Sequence, residues 1–587
     1  MRYLRMLTNA ALAGALGAAF IGVLILQLNP QVPLATETLA PLFLRLFAFY
    51  GTHLTVACYA LLVVRQLFAR QLFSPGWISV RILAWFGAGI AMAATTLMWI
   101  NVNGFRLALD QETARRMTAG GAATGLCAVL LLIIAIVHYS FGRRGSRLTG
   151  FLFAATVASS IVLPLVARGW ERATRPPVLP PRVAPAIAGP ASPGRITIVL
   201  LDGASLEYIA PATAAGRLPN FGRLLDRGAS IHLSTIRPTQ PTAVWAAVAT
   251  GKYSPRNGVR SGASYGFGHG SVRLDLLPER CLSNTLVRLG VLDEREHDAR
   301  SLRARPLWDV LSGFGIPVGF VGWPLADPVR PVRGYLVSDR VHRATGSLLP
   351  LEDPRFVYPP DAFRLTPAPV MPAALDGWAV DAGDEASAAS EPAIDSAAQG
   401  LLPRDVWYRR VAAALEARYP SQVAAVRYEG IDVAGHHFLR YAMPSAFGDV
   451  SEEERRRHGR VLERQYEDID AEIGAYLASF APGDVLIVVS GFGMQPVTPV
   501  KRSLAWVLRQ RSLTGTHEGG PNGFLLAYGG PFAPGRYALG SIVDVTPTVL
   551  YLLGLPVGRD MDGYARTDLF DRRFTADRPI TFVPSHE

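Results

Sequence analysis

The hydrophobic pattern of the chain changes near residue 170. Before that point, five apolar stretches approach the length that is needed to cross a bilayer. They cover residues 8–28, 44–64, 82–101, 120–139 and 149–167. After that point, short apolar runs alternate with amphipathic stretches, which is typical of a soluble domain. The pattern predicts a bundle of about five transmembrane helices over 1–170 and a soluble domain over 195–570.

Short β-branched runs lie between helical patterns throughout the soluble domain. Residues 196–201 read ITIVLL, a continuous apolar run that is typical of a strand buried on both faces. Repeated alternation of strand and helix predicts an α/β fold with a mostly parallel sheet. Later in the soluble domain, the pattern of residues 451–480 predicts an amphipathic helix that begins with a capping box of Ser451 and Glu454.

Three further segments are distinguished by their composition. Residues 171–194 are rich in proline and predict an extended linker. Residues 345–403 are rich in proline, alanine and acidic residues, which predicts a surface insertion. Residues 571–587 are expected to form a short tail.

The arginines that flank the apolar stretches predict how the chain is oriented in the membrane. Eight fall on the side of the amino terminus: Arg2, Arg5, Arg65, Arg70, Arg81, Arg143, Arg144 and Arg147. Three fall on the other side: Arg106, Arg115 and Arg116. Since positive charge is retained in the cytoplasm, the amino terminus is expected inside. Five spans then place the soluble domain on the extracytoplasmic side of the cell (inner) membrane.

The net charge of +11 first raises the possibility of a nucleic-acid partner. However, the chain has no basic patch interleaved with aromatic residues and no recognition motif. We therefore expect no nucleic acid among its partners. Three cysteines, two of them inside apolar stretches, provide no disulfide framework.

Candidate chemistry begins where the first strand of the soluble domain ends. Asp202 and Gly203 follow that strand, at the sheet edge where open α/β folds bind their ligands. Forty residues later, Thr242 opens the apolar run AVWAAVAT, and Gly251 ends it, which predicts a short buried helix. A hydroxyl at the start of a helix lies among unpaired N–H groups, which favour an oxyanion or a phosphate. Thr239 is a second candidate for the same role.

Asp432 and His436 follow the strand-like run QVAAVRY and are four residues apart. On a helix, this spacing would bring a carboxylate and an imidazole to one face, where they can share a metal ion. His437 is the neighbour, and we expect it to pack rather than to ligate.

The order of these motifs resembles the type I phosphodiesterase/nucleotide pyrophosphatase branch of the alkaline phosphatase superfamily. The resemblance rests on ITIVLLDGAS, LPNFGRLLDRGA, PTAVWAAVATGKYSPRNGV, PLWDVLSGFGIPVGFVGWPLADPV, the Asp432–His436 motif and GTHEGGPNG around His517. It implies a three-layer α/β/α sandwich and metal-assisted hydrolysis of phosphate esters, usually diesters.

The resemblance also implies roles for individual residues. Thr242 corresponds to the nucleophile and Asp202 to a metal ligand, while Asp432, His436 and His517 correspond to the ligands of the other metal. The family has an Asp-His pair where this chain has Gly491 and Phe492, and neither of these can bind a cation. We therefore expect one divalent ion rather than two, with zinc favoured by a set of two histidines and one aspartate.

Two functions remain open at this point. One is a membrane-anchored phosphodiesterase or phosphotransferase that acts on a lipid-borne or envelope phosphate ester outside the membrane. The other is an inactive superfamily member that binds an envelope ligand or partner through the same pocket. The ligand set that remains favours the enzyme, and the replacement of the Asp-His pair favours the binding protein.

Overall fold

The computed structural model divides the chain into two compact units. One holds Met1–Arg175 together with Ala263–Glu296, and the other holds Pro176–Gly262 together with His297–Glu587. The described residues are 1–68, 75–141, 147–169, 194–268, 272–341, 355–365, 403–507 and 514–587. Nearly all of the predicted linker over 171–194 and most of the predicted insertion over 345–403 lie outside the described residues.

Helices form the described part of the amino-terminal region, and strands alternate with helices after residue 194. The helices are α1 (Arg2–Leu28), α2 (Thr36–Leu46), α3 (Thr52–Phe68), α4 (Val80–Gly104), α5 (Gln111–Phe141), α6 (Arg147–Arg168), α7 (Leu206–Ala214), α8 (Pro219–Arg227), α9 (Pro241–Thr250), α10 (Ser254–Asn257), α11 (Ser283–Arg288), α12 (Leu307–Gly313), α13 (Pro403–Arg418), α14 (Gly430–Ala442), α15 (Glu452–His458), α16 (Val461–Ala478), α17 (Pro499–Val507), α18 (Val545–Leu552) and α19 (Arg572–Asp577). The strands are β1 (Ile196–Leu201), β2 (Ala229–Ser234), β3 (Ala263–Gly266), β4 (Arg273–Leu274), β5 (Asp293–Glu296), β6 (Val318–Trp323), β7 (Gly334–Ser338), β8 (Val357–Tyr358), β9 (Val423–Tyr428), β10 (Val485–Phe492), β11 (Gln495–Pro496), β12 (Gly515–Thr516), β13 (Asn522–Gly529), β14 (Gly535–Arg536), β15 (Gly540–Ser541), β16 (Val557–Gly558) and β17 (Phe582–Val583).

Five helices of the amino-terminal unit are long and apolar enough to cross a membrane, as the hydrophobic pattern predicts. They are Arg2–Leu28, Thr36–Phe68, Val80–Gly104, Gln111–Val137 and Arg147–Arg168. The second consists of α2 and α3, joined by a π-helical turn at Phe47–Gly51. Helix α1 is the most enclosed and contacts each of the other four spans. Small residues permit this packing: a Cβ atom at Gly14 would collide with the Gly51 carbonyl and Thr55 of the second span.

The segment Ala263–Glu296 belongs to the amino-terminal unit although the soluble domain flanks it in sequence. Its strand β3 pairs with β4 and with β5 in antiparallel fashion. Two fully buried asparagines bind its backbone. Asn29, which follows α1, donates to the Leu276 carbonyl over 2.8 Å and accepts from the Leu276 N–H over 2.9 Å. Asn101, near the end of α4, accepts from the Glu279 N–H over 2.8 Å. The segment therefore caps the carboxyl-terminal ends of α1 and α4.

The other unit is built on one large mixed sheet. Its strand order is β14-β2-β13-β10-β1-β9-β6-β7-β8, and β15 also pairs with β2. The central strands β10, β1, β9, β6 and β7 are parallel, and β13 is antiparallel to both of its neighbours. Because β1, β9 and β10 run in the same direction, the segments that follow them emerge at one edge.

Helices cover both faces of this sheet. Leu486 and Val488 of β10 point into a core that they share with residues of α7, α8, α13, α14 and α16. Side chains alternate along a strand, so Gly491 points to the opposite face, where it meets Val244 of α9. Helix α18 packs against α9 on that face, where the Thr546 hydroxyl donates to the Val248 carbonyl over 2.7 Å. The predicted three-layer α/β/α sandwich is confirmed.

One local prediction within this unit is confirmed, and another differs from the structure. The capping box is present, because the Ser451 hydroxyl accepts from the Glu454 N–H over 3.2 Å and the Glu454 carboxylate accepts from the Ser451 N–H over 2.9 Å. However, the predicted single helix over 451–480 consists of two, α15 and α16. The first ends at Gly459, a residue type that disfavours helix continuation. Residues after 570 form α19 and β17, and β17 pairs with β16.

Candidate active site

The candidate residues are gathered at the edge where β1, β9 and β10 end. Leu201, the last residue of β1, lies between Tyr428 of β9 and Ser490 of β10. Asp202 comes next, and its N–H donates to the Tyr428 carbonyl over 3.0 Å. Helix α14, which carries Asp432, begins two residues after Tyr428. The parallel register therefore brings both aspartates to the same sheet edge.

The Asp202 carboxylate is almost completely buried and has three donors. Its Oδ1 accepts from the Trp245 indole N–H over 2.6 Å and from the Arg427 Nε over 3.2 Å, and its Oδ2 accepts from the Arg427 Nη2 over 2.5 Å. Burial raises the pKa of Asp202 to about 7, although the charge of Arg427 opposes the shift. Both carboxylate oxygens are thus occupied by side chains of the protein.

Arg427 lies within β9 and was not singled out from the sequence. Its Nη1 donates to Glu429 over 2.5 Å and approaches the Asp339 carboxylate at 3.9 Å. Burial would lower the pKa of Arg427, but the charges of Asp202 and Glu429 raise it further above its ordinary value. One signal could have revealed it: an arginine inside the apolar run VAAVRY must have buried acidic partners, because an unpaired charge is too costly there.

Thr242 and Thr239 have different environments. Thr242 is the second residue of α9 and is half-buried. Trp245 lies three residues later, on the same side of the helix, and its indole binds Asp202. Thr239 precedes α9, is 1% exposed, and donates its hydroxyl to the Ile236 carbonyl over 3.1 Å. Only Thr242 therefore has a partly accessible hydroxyl in the first turn of the helix. Gly251 ends this helix in the left-handed conformation, as predicted.

Asp432 and His436 lie in the first two turns of α14. The distance between Asp432 Oδ2 and His436 Nε2 is 3.5 Å, so the predicted helical spacing does bring them together. The other ring nitrogen of His436, Nδ1, lies 2.9 Å from the Gly515 carbonyl, which fixes the orientation of the imidazole. Asp405 accepts from the Gly430 N–H over 2.7 Å and so holds the start of this helix.

His517 approaches the same pair from a distant part of the chain. Its ring packs edge to face against His436, with 5.2 Å between the ring centroids. The Thr514 N–H donates to the His436 carbonyl over 2.7 Å, which ties this segment to α14. Burial would raise the pKa of Asp432, but the charge and hydrogen bond of His436, together with the charge of His517, hold it below its ordinary value.

Gly203 permits the close approach of the two aspartate-bearing segments. It has φ of +70°, and a Cβ atom there would lie 2.8 Å from Asp432 Cα and 2.9 Å from Asp432 Oδ1. A larger residue would push Asp432 away from the end of β1. The Asp202–Gly203 turn and the start of α14 are therefore in direct contact.

Residues 196–526, more than half of the chain, match the family described as type I phosphodiesterase/nucleotide pyrophosphatase. The chain belongs to this family. Its members are generally phosphodiesterase and pyrophosphatase hydrolases that act on phosphate esters and use divalent metal ions. All of the candidate residues named above lie inside the matched range.

Two similar solved structures are of one murine protein, ectonucleotide pyrophosphatase/phosphodiesterase 5. One is the protein itself, and the other is an inactive variant in complex with AMP. Each is 12% identical to this chain with a TM-score of 0.37, and covers 64% of this chain and 100% of its own. No curated protein matches the chain in sequence.

The family's need for divalent metal can be tested against the residues present. Asp432, His436 and His517 offer the donor types that zinc prefers, and Asp432 Oδ1 is buried with no hydrogen-bond partner among the described residues. Within the described part of the chain, no three His, Cys, Asp or Glu side chains already stand in a metal-binding arrangement. The three residues therefore fit a divalent metal ion in the types of donor atom that they offer and in their convergence at one place.

Gly491 and Phe492 lie at the end of β10. Gly491 is next to α9, and Phe492 is next to His517. Phe492 is fully buried, and its ring centroid lies 5.3 Å from that of His517. At Gly491, a Cβ atom would overlap with Val244 Cγ1 of α9. This position thus holds an apolar side chain and a close helix contact, and neither residue has a side-chain atom that can bind a metal ion.

Proposed function

We propose that this protein is a membrane-anchored, metal-dependent phosphodiesterase or phosphotransferase with Thr242 as its nucleophile. The observation that carries this proposal is the convergence of Asp432, His436 and His517 from two distant segments of the chain. If these three side chains had only a structural role, nothing would require metal-binding residue types to meet at one sheet edge. The chain also belongs to a family of hydrolases that use metal ions.

In this proposal, Asp432, His436 and His517 hold one divalent ion, and zinc suits their donor set. The ion would supply charge stabilisation for the oxygens of the phosphoryl group. His436 is prepared for this role because the Gly515 carbonyl orients its ring through Nδ1 and leaves Nε2 on the side of Asp432.

Thr242 supplies the hydroxyl that attacks phosphorus. The bond from its oxygen to phosphorus forms as the bond to the leaving alkoxide breaks, and the proton that the hydroxyl gives up to solvent is balanced by the proton that the alkoxide takes up. Water or a second alcohol later attacks phosphorus and breaks the bond to the threonine oxygen, which regains a proton. Its place in the first turn of α9 puts it among N–H groups that have no partner within the helix. These groups and the positive end of the helix dipole favour the negative charge of the phosphoryl oxygens.

The number of spans and the arginine distribution support an extracytoplasmic site. Five helices are long and apolar enough to cross a membrane, and an odd number of spans would place the residues after 170 on the side opposite the amino terminus. The arginine distribution assigns the start of α1 to the cytoplasm, so the site faces the outside of the inner membrane. A lipid-borne or envelope phosphate ester would be accessible there.

A second candidate function is binding without catalysis. The specific observations that favour it are the apolar pair Gly491 and Phe492 and the occupation of Asp202 by Arg427. Without a cation beside the nucleophile, a threonine hydroxyl is a weak nucleophile at neutral pH. The same pocket would then bind a phosphate ester and leave it intact.

Hydrolysis of bis-p-nitrophenyl phosphate by the full chain in detergent, with zinc, tests the proposal. Thr242→Ala should abolish turnover, while Thr239→Ala should retain most of it because that hydroxyl serves a backbone carbonyl. His517→Ala should lose turnover by about hundredfold or more. Turnover that survives Thr242→Ala would refute the assigned nucleophile. No turnover in the wild type, together with saturable binding of the ester, would support the binding function.

A further inference from the structure

A guanidinium lies beside the carboxylate that the family pattern assigns to a metal ion. We infer that Arg427 is the permanent cation of this half of the site, and that Asp202 is its ion-pair partner and not a metal ligand. The inference deepens the proposed function and rests on it only in treating Asp432, His436 and His517 as the remaining metal site.

The geometry of the pair is the first reason. Arg427 binds the two oxygens of Asp202 with two different nitrogens, Nε and Nη2, over 3.2 and 2.5 Å. Such a forked pair is the strong arrangement for guanidinium and carboxylate. The Trp245 indole N–H adds a third donor to the same carboxylate. A metal ion on Asp202 would have to displace these donors and lie next to a positive charge.

The charge around Arg427 is the second reason. Three carboxylates, those of Asp202, Glu429 and Asp339, lie within 3.9 Å of its guanidinium, and their side chains are 2–16% exposed. Glu429 also pairs with Arg404. Without Arg427, these buried acids would be left with too little positive charge. The guanidinium thus provides the neutralisation that a cation would otherwise supply.

The series of hydrogen bonds that begins at Arg427 is the third reason. Arg427 donates to Asp202, and Asp202 also accepts from Trp245, which lies one turn beyond Thr242 on α9. Arg427 is therefore a positioning residue, since it acts on the nucleophile helix through two intermediate side chains. The replacement of the Asp-His pair by Gly491 and Phe492 is consistent with this, because a site neutralised by arginine needs no further metal ligands.

Metal content separates this inference from its alternative. The full chain in detergent is dialysed against buffer with micromolar zinc, and bound zinc is counted by mass spectrometry. We expect one zinc per chain in the wild type and in Asp202→Asn, and almost none in His517→Ala. Two zinc ions in the wild type, with one lost in Asp202→Asn, would overturn the inference.

A wild type that binds no zinc would count against the proposed metal site alone. In that case, a stability measurement still tests whether Arg427 and Asp202 form an ion pair. Arg427→Met removes the cation that the three acids share and should lower Tm by about 5 °C or more. The double variant Arg427→Met/Asp202→Asn removes both charges and should recover at least half of that loss. A double variant as unstable as the sum of its single variants would show that the two side chains are not coupled.

Cation rescue tests whether the site needs the charge of Arg427 or only its packing. In Arg427→Ala, millimolar magnesium or calcium should raise Tm because a divalent ion can replace the guanidinium among the three acids. The same ions should leave the Tm of the wild type and of Arg427→Ala/Asp202→Asn nearly unchanged. Equal shifts in all three proteins would contradict the inference.

Discussion

Two buried tryptophans of the unit that contains the large sheet offer a matched test of how α9 is held. Trp245 is 0% exposed and donates its indole N–H to Asp202 over 2.6 Å. Trp323 is 1% exposed, and its indole nitrogen is buried without a hydrogen-bond partner among the described residues. The two rings pack edge to face with 6.1 Å between their centroids. Substituting phenylalanine at either position removes the same atoms from the same apolar region.

The hydrogen bond makes the expected effects differ. Trp245→Phe loses a bond to a charged acceptor, which contributes about 1.5–3 kcal/mol, and leaves Asp202 with one donor fewer. Trp323→Phe removes an unsatisfied N–H, which should relieve about 1–3 kcal/mol and so offset the loss of packing. The two variants should therefore differ by about 3 kcal/mol or more, which corresponds to roughly 4 °C in Tm for a unit of this size.

Thermal unfolding of both variants in detergent measures this difference, and diester turnover provides the functional readout. Trp245→Phe should be the less stable variant and should also lose turnover, because Trp245 and Thr242 share one face of α9. Trp323→Phe should keep both stability and turnover near wild-type values. Equal Tm values for the two variants would refute the reasoning, since the bond to Asp202 would then contribute nothing to the position of α9.

Three further predictions concern stability. Asn29→Leu removes the buried amide that binds the segment Ala263–Glu296, so hydrogen exchange of that segment should become faster. Asp470→Ala removes the carboxylate that accepts from the Phe221 N–H over 2.8 Å at the start of α8, which should cost about 2 kcal/mol and lower Tm. Burial raises the pKa of Asp309 to about 6, so the folded state binds its proton more tightly than the unfolded state. The stability of the wild type relative to Asp309→Asn should then fall as pH rises from about 4 to about 6, and a constant difference in Tm across that range would contradict this.

Much of the fold could be predicted because its signals are local. The run Ile196–Leu201 is apolar at every position, which only a strand buried on both faces requires. The end of α9 was predictable because Gly251 can adopt the left-handed conformation at low energy. The division of residues 451–480 into two helices was harder to predict, since apolar spacing continues across Gly459 and only the glycine itself indicates a break.

The partners of the site residues could not be predicted by the same means. Asp432 and His436 are four residues apart, so helical geometry alone brings them together. His517 meets them through tertiary packing, and only the family resemblance indicated it. The partner of Asp202 was missed because Arg427 is 225 residues away and a sequence contains no signal for which buried acid an arginine will pair with.

The segment Ala263–Glu296 escaped prediction for a different reason. Its short strands resemble those of the domain that surrounds it in sequence, and its hydrogen bonds with Asn29 and Asn101 use backbone groups of the segment. Backbone donors and acceptors have no sequence signature. Asn29 and Asn101, polar residues at the ends of apolar stretches, were a local indication that something binds there.

This capping segment has a consequence for the biogenesis of the protein. The ribosome completes the sixth helix, α6, at Arg168, but it synthesises Ala263 only after almost a hundred further residues, which takes roughly 5–20 s. Until then, the amides of Asn29 and Asn101 lack the backbone partners that they have in the finished protein. A nascent chain arrested before residue 263 should therefore show rapid hydrogen exchange at the ends of α1 and α4. Packing of the amino-terminal unit is therefore complete only after Ala263–Glu296 has been synthesised, so a chain that stalls before that segment has an incomplete helical unit that quality-control proteases can recognise.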